Sequence, residues 1–232
     1  MIFRQLFDRE SCTYTYLLAD DVSRKAILID PVLEQMPVYE QLLTELDLQL
    51  AVALDTHVHA DHITALGKLQ LQFNCETLHG EHSLATGISR KVCDGETIQV
   101  GSLELLAMYT PGHTADSYSF LLKQEPCWRV FTGDTLLIRG SGRTDFQSGC
   151  ALQQYHSITE KLWPLPGNTR VYPGHDYRGL TVSTIAEEKQ FNPRLQVSNA
   201  HAYMELMESL NLDPPKKMDV AVPSNLNAGL TL

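Results

Sequence analysis

The stretch Asp55-Thr56-His57-Val58-His59-Ala60-Asp61-His62 sets three histidines and an aspartate directly after the apolar run at 50–54. That run has the length and composition of a buried strand. A loop opening from the C-terminal end of a strand is where α/β folds hold their ligands. The same arrangement recurs three times downstream. The run at 103–109 leads into Thr110-Pro111-Gly112-His113-Thr114, and the run at 129–132 into Gly133-Asp134. The run at 170–172 leads into Pro173-Gly174-His175-Asp176. Taken singly, each has an ordinary reading: a hydrogen-bonded histidine, a helix cap at Asp134, a turn residue at His175. Four strand ends in one chain, each delivering His or Asp, point instead to a shared metal. Proline and glycine flank three of them, permitting sharp turns and close backbone approach. His79, His82, His156 and His201 lack such a context and read as ordinary core or surface residues.

Further strands are predicted at 13–18, 26–29, 76–79, 97–100 and 118–122. Apolar spacing predicts helices over 38–48, 65–72 and 151–163, and near 181–190 and 200–210. Strands and helices intermingle, which predicts an α/β (α+β layered) fold. A single domain over 1–232 is expected, since one core serves chains up to about 250–300 residues. From about 211 onward, Pro214-Pro215 and Pro223 predict an extended C-terminal tail.

The chain has 232 residues, 18 Lys+Arg and 28 Asp+Glu, for a formal net charge of -10. Hydrophobic residues make up 43% and charged residues 20%, which excludes a disordered or fibrous chain. The acidic balance argues against nucleic acid and anionic membrane as partners. No apolar run approaches the ~18 residues of a membrane span, and the first residues lack a secretory pattern. The five cysteines are odd in number and scattered, without a C-x-x-C pair, which predicts reduced thiols in a cytoplasmic setting.

The ordered series T-H-x-H-x-D-H, P-G-H-T, T-G-D and P-G-H-D resembles the metallo-β-lactamase fold superfamily. The resemblance implies an αββα sandwich, two β-sheets packed face to face with helices on both outer faces. A metal would lie in a cleft at one edge. The pattern is specific for fold but not for reaction, because the scaffold hosts hydrolases, oxidoreductases and nucleases.

A narrower resemblance runs from Phe3 to Gly229. Ser11–Leu18, Leu28-Ile29-Asp30-Pro31-Val32, His59–Thr64, Leu137–Gly140, Gly142–Gln147, Asn192-Pro193-Arg194-Leu195 and Ala221-Val222-Pro223 are similar to persulfide dioxygenases. Those enzymes, part of hydrogen sulfide metabolism, oxidise glutathione persulfide with O2 to sulfite and glutathione. The resemblance implies one Fe(II) per chain, held by His57, His113 and Asp134, and a homodimer. It assigns His59, Asp61, His62 and His175 to hydrogen-bonding roles around that iron. Two imidazoles and a carboxylate form the facial triad of non-haem Fe(II) oxygenases, leaving open positions for substrate sulfur and O2.

The residues alone leave a second arrangement open. His59, Asp61, His62 and His175 have the chemistry for a second metal with Asp134 as bridge, as in glyoxalase II-like binuclear hydrolases of glutathione thioesters. Those enzymes usually carry a bulky aromatic where Ala60 stands and a longer helical C-terminal region, which counts against them here.

An acidic protein that takes an anionic substrate needs local cations. Guanidinium groups grip carboxylates bidentately, and glutathione has two. By resemblance Arg143, Arg194 and Tyr177 are the glutathione contacts. The chain departs from the family at Asn227, where members often carry Cys.

Overall fold

The computed structural model describes residues 1–212 and 217–230. The chain divides into two compact units. The first contains Met1–Val92, Ile98–Glu104 and the C-terminal segment; the second contains Cys93–Thr97 and the stretch from Leu105 onward.

The first unit is built on a six-stranded sheet in the order β1-β2-β3-β4-β5-β6. Its strands are β1 (Ile2–Phe7), β2 (Tyr14–Ala19), β3 (Lys25–Ile29), β4 (Gln49–Leu54), β5 (Glu76–Gly80) and β6 (Arg90–Val92). The first two pairings are antiparallel and the last three parallel. Every residue of β2 is buried, which is why it reads as one continuous apolar and β-branched run rather than an alternating one. Helices α1 (Met36–Glu45) and α2 (Leu66–Phe73) supply Tyr39, Leu43, Leu66 and Leu69 to a core with Leu17, Leu28, Leu50 and Ala53.

The second sheet has the order β12-β11-β10-β9-β8-β7. Its strands are β7 (Thr97–Val100), β8 (Leu103–Tyr109), β9 (Tyr118–Leu122), β10 (Arg129–Gly133), β11 (Arg170–Pro173) and β12 (Ser183–Thr184). Strand β9 is antiparallel to both β8 and β10, and β11 is parallel to β10. Hence β8, β10 and β11 all run the same way, and their C-terminal ends share one edge of the sheet. Helix α3 (Ala151–His156) continues through a π-type turn at Ser157–Leu162. Ile158 and Leu162 from that turn and Ile185 from α4 (Ile185–Phe191) bury Leu121, Val130 and Val171 of the sheet. Helix α5 (Ala200–Glu208) begins at Asn199, whose side chain accepts from the Ala202 N–H at 3.0 Å.

The structure departs from the sequence-based expectations at the chain's ends and edges. Strand β1 was not anticipated: Ile2, Phe3, Leu6 and Phe7 do not alternate, because this edge strand is partly buried on both faces. The C-terminal segment expected to be extended instead forms α6 (Met218–Asn225), with Pro223 inside it. Tertiary burial overrides the proline signal, since Ala221 and Asn225 are both fully buried. Residues 213–216, with the Pro214-Pro215 pair, lie outside the described residues. No helix is long and apolar enough to cross a membrane among the described residues. All five cysteines are free thiols.

Candidate metal centre

In the first unit, β3 and β4 end side by side, so Asp30 and the His57–His62 loop leave the sheet together. Asp30 follows β3 in the left-handed backbone region, φ 51°, which aspartate tolerates better than most side chains. Its carboxylate receives the Thr56 N–H at 2.6 Å on one oxygen and the Thr56 hydroxyl at 3.0 Å on the other. The first oxygen also meets His59 Nε2 at 3.1 Å. Burial alone drags the His59 imidazole down, but the Asp30 carboxylate outweighs it and the pKa is pushed up to about 9.

Thr56 settles the tautomer of His57. Its single hydroxyl proton goes to Asp30, so its oxygen accepts from His57 Nδ1 at 2.9 Å. That leaves the lone pair on His57 Nε2, the atom a metal needs. His57 is almost fully buried.

The remaining members of the loop pack on the Ser11–Thr13 turn. His62 Nδ1 lies 3.0 Å from Asp61 and 3.2 Å from the Thr13 hydroxyl. His62 Nε2 is buried without a hydrogen-bond partner among the described residues. Asn225 of α6 fastens the loop from below, donating to the carbonyls of His59 and His62 and accepting from Thr64 N–H at 2.9 Å. A further buried pair, Asp55 and His79, stands 3.4 Å apart behind the loop.

In the second unit, His113, Asp134 and His175 leave the ends of β8, β10 and β11. The shared edge deduced from topology therefore gathers three of the residues singled out by sequence. Gly112, with φ 138°, brings His113 onto α3; a Cβ there would stand 2.3 Å from the Gln154 backbone. His113 Nδ1 donates to the Arg143 carbonyl at 2.7 Å. A carbonyl only accepts, so Nδ1 carries the proton and Nε2 holds the lone pair in the neutral ring that a metal requires. This nitrogen faces Asp134 Oδ2 at 3.6 Å. The other Asp134 oxygen is taken by His175 Nδ1 at 2.7 Å. An imidazole lone pair and a carboxylate oxygen that face each other in a mostly buried site repel unless a cation lies between them. The donor set therefore fits a divalent metal.

The substrate residues inferred by resemblance differ in how they are engaged. Arg194 is half-buried, and its Nη1 donates only to Ser141, to the carbonyl and at 3.5 Å to the hydroxyl. No carboxylate pairs with it among the described residues, and burial pulls its pKa down. Arg143 is already forked on Asp145, Nε to Oδ1 at 2.7 Å and Nη2 to Oδ2 at 2.8 Å, and lies 4.4 Å above the Phe146 ring. Tyr177 is 71% exposed and stacks on His175 at 6.1 Å between centroids.

Sequence reasoning missed Asp30, Thr56 and Asn225 as site-building residues. Asp30 had a visible signal, an acid at a strand end followed by proline. Asn225 had none, because its role arises from long-range packing.

The fold and these ligand sets define the class. The sequence profile of the metallo-beta-lactamase superfamily matches residues 13–175, and the chain belongs to that superfamily. Within it, the chain falls with the persulfide dioxygenases. It is 48% identical over 99% of its length to "Persulfide dioxygenase ETHE1, mitochondrial" of Bos taurus, covering 89% of that protein. It is 47% identical over the same shares to the Homo sapiens protein of that name. The crystal structure of ETHE1 from Myxococcus xanthus superposes with a TM-score of 0.95 at 51% identity, covering 99% of this chain and 100% of that one. A probable hydroxyacylglutathione hydrolase of Schizosaccharomyces pombe is 34% identical over 89% of this chain and 90% of its own length.

Proposed function

We propose that the protein is an iron-dependent persulfide dioxygenase that oxidises glutathione persulfide with O2 to sulfite and glutathione. The observation that carries the reaction is near-full-length identity of 47% and 48% to proteins named for it, well above the 34% to a probable hydroxyacylglutathione hydrolase. Local geometry supports the ligand set: His57 Nε2 in the first unit and His113 Nε2 with Asp134 Oδ2 in the second. His57, His113 and Asp134 would hold one Fe(II), which would supply redox chemistry toward O2 and a binding position for sulfur.

The protein's own groups do the rest. Thr56 and the Arg143 carbonyl keep both imidazoles in the ligating tautomer. His175 occupies one Asp134 oxygen and so fixes which oxygen is presented to the metal. Arg194, charged and without a carboxylate partner among the described residues, receives a glutathione carboxylate. Arg143 joins by sharing or releasing Asp145, and Tyr177 contributes its exposed hydroxyl at the mouth. His59, Asp61 and His62 act as hydrogen-bonding partners. A cytoplasmic homodimer completes the reading; the mammalian relatives are named as mitochondrial.

One observation favours a second reading. His62 Nε2 is buried and orphaned, and His59, Asp61 and His62 are grouped closely enough to hold an ion. A binuclear hydrolase of glutathione thioesters uses such a grouping. Elemental analysis of the purified, iron-loaded protein separates the two. About one iron per chain supports the dioxygenase; two tightly held metals with thioesterase activity overturns it.

A further inference from the structure

The second unit contains a buried polar chain for which the proposed chemistry has no direct use. Tyr203 of α5, fully buried, donates its hydroxyl to Gln154 Oε1 at 2.8 Å and accepts from Ser141 Oγ at 2.9 Å. Gln154 of α3, equally buried, spreads its amide nitrogen over three main-chain carbonyls: Gly142 at 3.2 Å, Thr135 at 3.4 Å and Asp134 at 3.5 Å. Every polar atom of the pair is satisfied, so the network is rigid rather than costly.

The segment it grips, 140–143, makes two functional contacts. The Ser141 carbonyl receives Arg194, and the Arg143 carbonyl receives His113. Between them Gly142 lies against the metal-ligand side chain: a Cβ at this position would stand 2.7 Å from His113 Nδ1. Among the described residues, Arg194 makes no contact with an acid that would otherwise fix it. Its pose depends on Ser141, and Ser141 depends on Tyr203.

We infer that Tyr203 is a positioning residue, which through Ser141 and Gln154 holds Arg194 ready for a carboxylate of the glutathione moiety. The inference rests on the substrate assignment above. Removing the hydroxyl leaves Gln154 Oε1 buried and unpaired, and leaves Ser141 Oγ only its long contacts to Arg194 Nη1 at 3.5 Å and Met207 Sδ at 3.8 Å. Short partners return only if the 140–143 segment shifts, and the Arg194 guanidinium shifts with it.

The test is calorimetric titration of glutathione into the iron-loaded protein, which reads binding without turnover. Variants are Tyr203→Phe, Ser141→Ala, Arg194→Gln and the double variant Tyr203→Phe/Arg194→Gln. Tyr203→Phe is expected to weaken binding about 2- to 10-fold, with Ser141→Ala moving the same way. In the Arg194→Gln background the Tyr203→Phe effect should vanish, because it acts through that arginine. Equal, additive losses in both backgrounds overturn the inference, as does unchanged binding in Tyr203→Phe. If Tyr203→Phe does not fold, Ser141→Ala with and without Arg194→Gln decides by the same criterion. If Arg194→Gln itself binds glutathione normally, the substrate assignment falls and the inference falls with it. Loss in Arg194→Gln alone sinks only the role of Tyr203.

Discussion

Thr56 has one hydroxyl proton and commits it to Asp30, and from that it follows which nitrogen of His57 keeps a lone pair for the proposed metal. The same logic at His113 runs through the Arg143 carbonyl. Small acceptors thus choose which atom of each histidine is available to the proposed metal. His113→Ala or Asp134→Ala should abolish iron binding, whereas His175→Ala should keep substantial iron and lower kcat/KM about 10- to 100-fold. Iron quantification beside oxygen uptake checks both; complete loss of iron from His175→Ala would make that residue a ligand. The arginines differ in the same spirit. Arg194→Lys keeps the charge but loses the planar fork, at about 1.5–3 kcal/mol or roughly ten- to hundredfold in kcat/KM, mostly through KM. Arg143→Lys should cost clearly less, since Asp145 already occupies that fork. Steady-state rates for the two variants decide, and a larger loss at Arg143 reverses the assignment. The candidate ligands were legible in the sequence because glycine, proline and histidine cluster at strand ends. Their tautomers were not, because Asp30, Thr56 and Arg143 reach them only in three dimensions.

At the scale of elements, α6 shows how a distant helix builds the site. Asn225 makes three hydrogen bonds to the His59–Thr64 loop from a fully buried position. Asn225→Ala strands one N–H and two carbonyls, and a loss of about 2–4 kcal/mol in unfolding free energy is expected. Urea denaturation monitored by circular dichroism measures it; an unchanged midpoint with unchanged slope contradicts the role. This helix was illegible because Pro223 breaks the helical pattern and its apolar face is short. Strands β2, β3, β4, β8, β9, β10 and β11 were legible for the opposite reason, as each is a short run rich in apolar and β-branched residues bounded by turn residues. Strands β6 and β12, of three and two residues, are too short for periodicity to register.

The net charge of -10 belongs to the molecule as a whole, and it opposes an anionic substrate from a distance. Between about 0.01 and 0.1 M salt the Debye length falls from about 30 to about 10 Å, which screens that field. A half-buried arginine contact is screened far less. Accordingly kcat/KM for glutathione persulfide should hold or rise across this range; a steep fall would mean that long-range attraction, not local contact, gathers the substrate. The central claim is the reaction itself, and oxygen uptake by the ferrous protein on addition of glutathione persulfide tests it most directly. About one O2 consumed per persulfide, with sulfite and glutathione formed, is the predicted result. No oxygen uptake, together with rapid hydrolysis of S-lactoylglutathione, would contradict it.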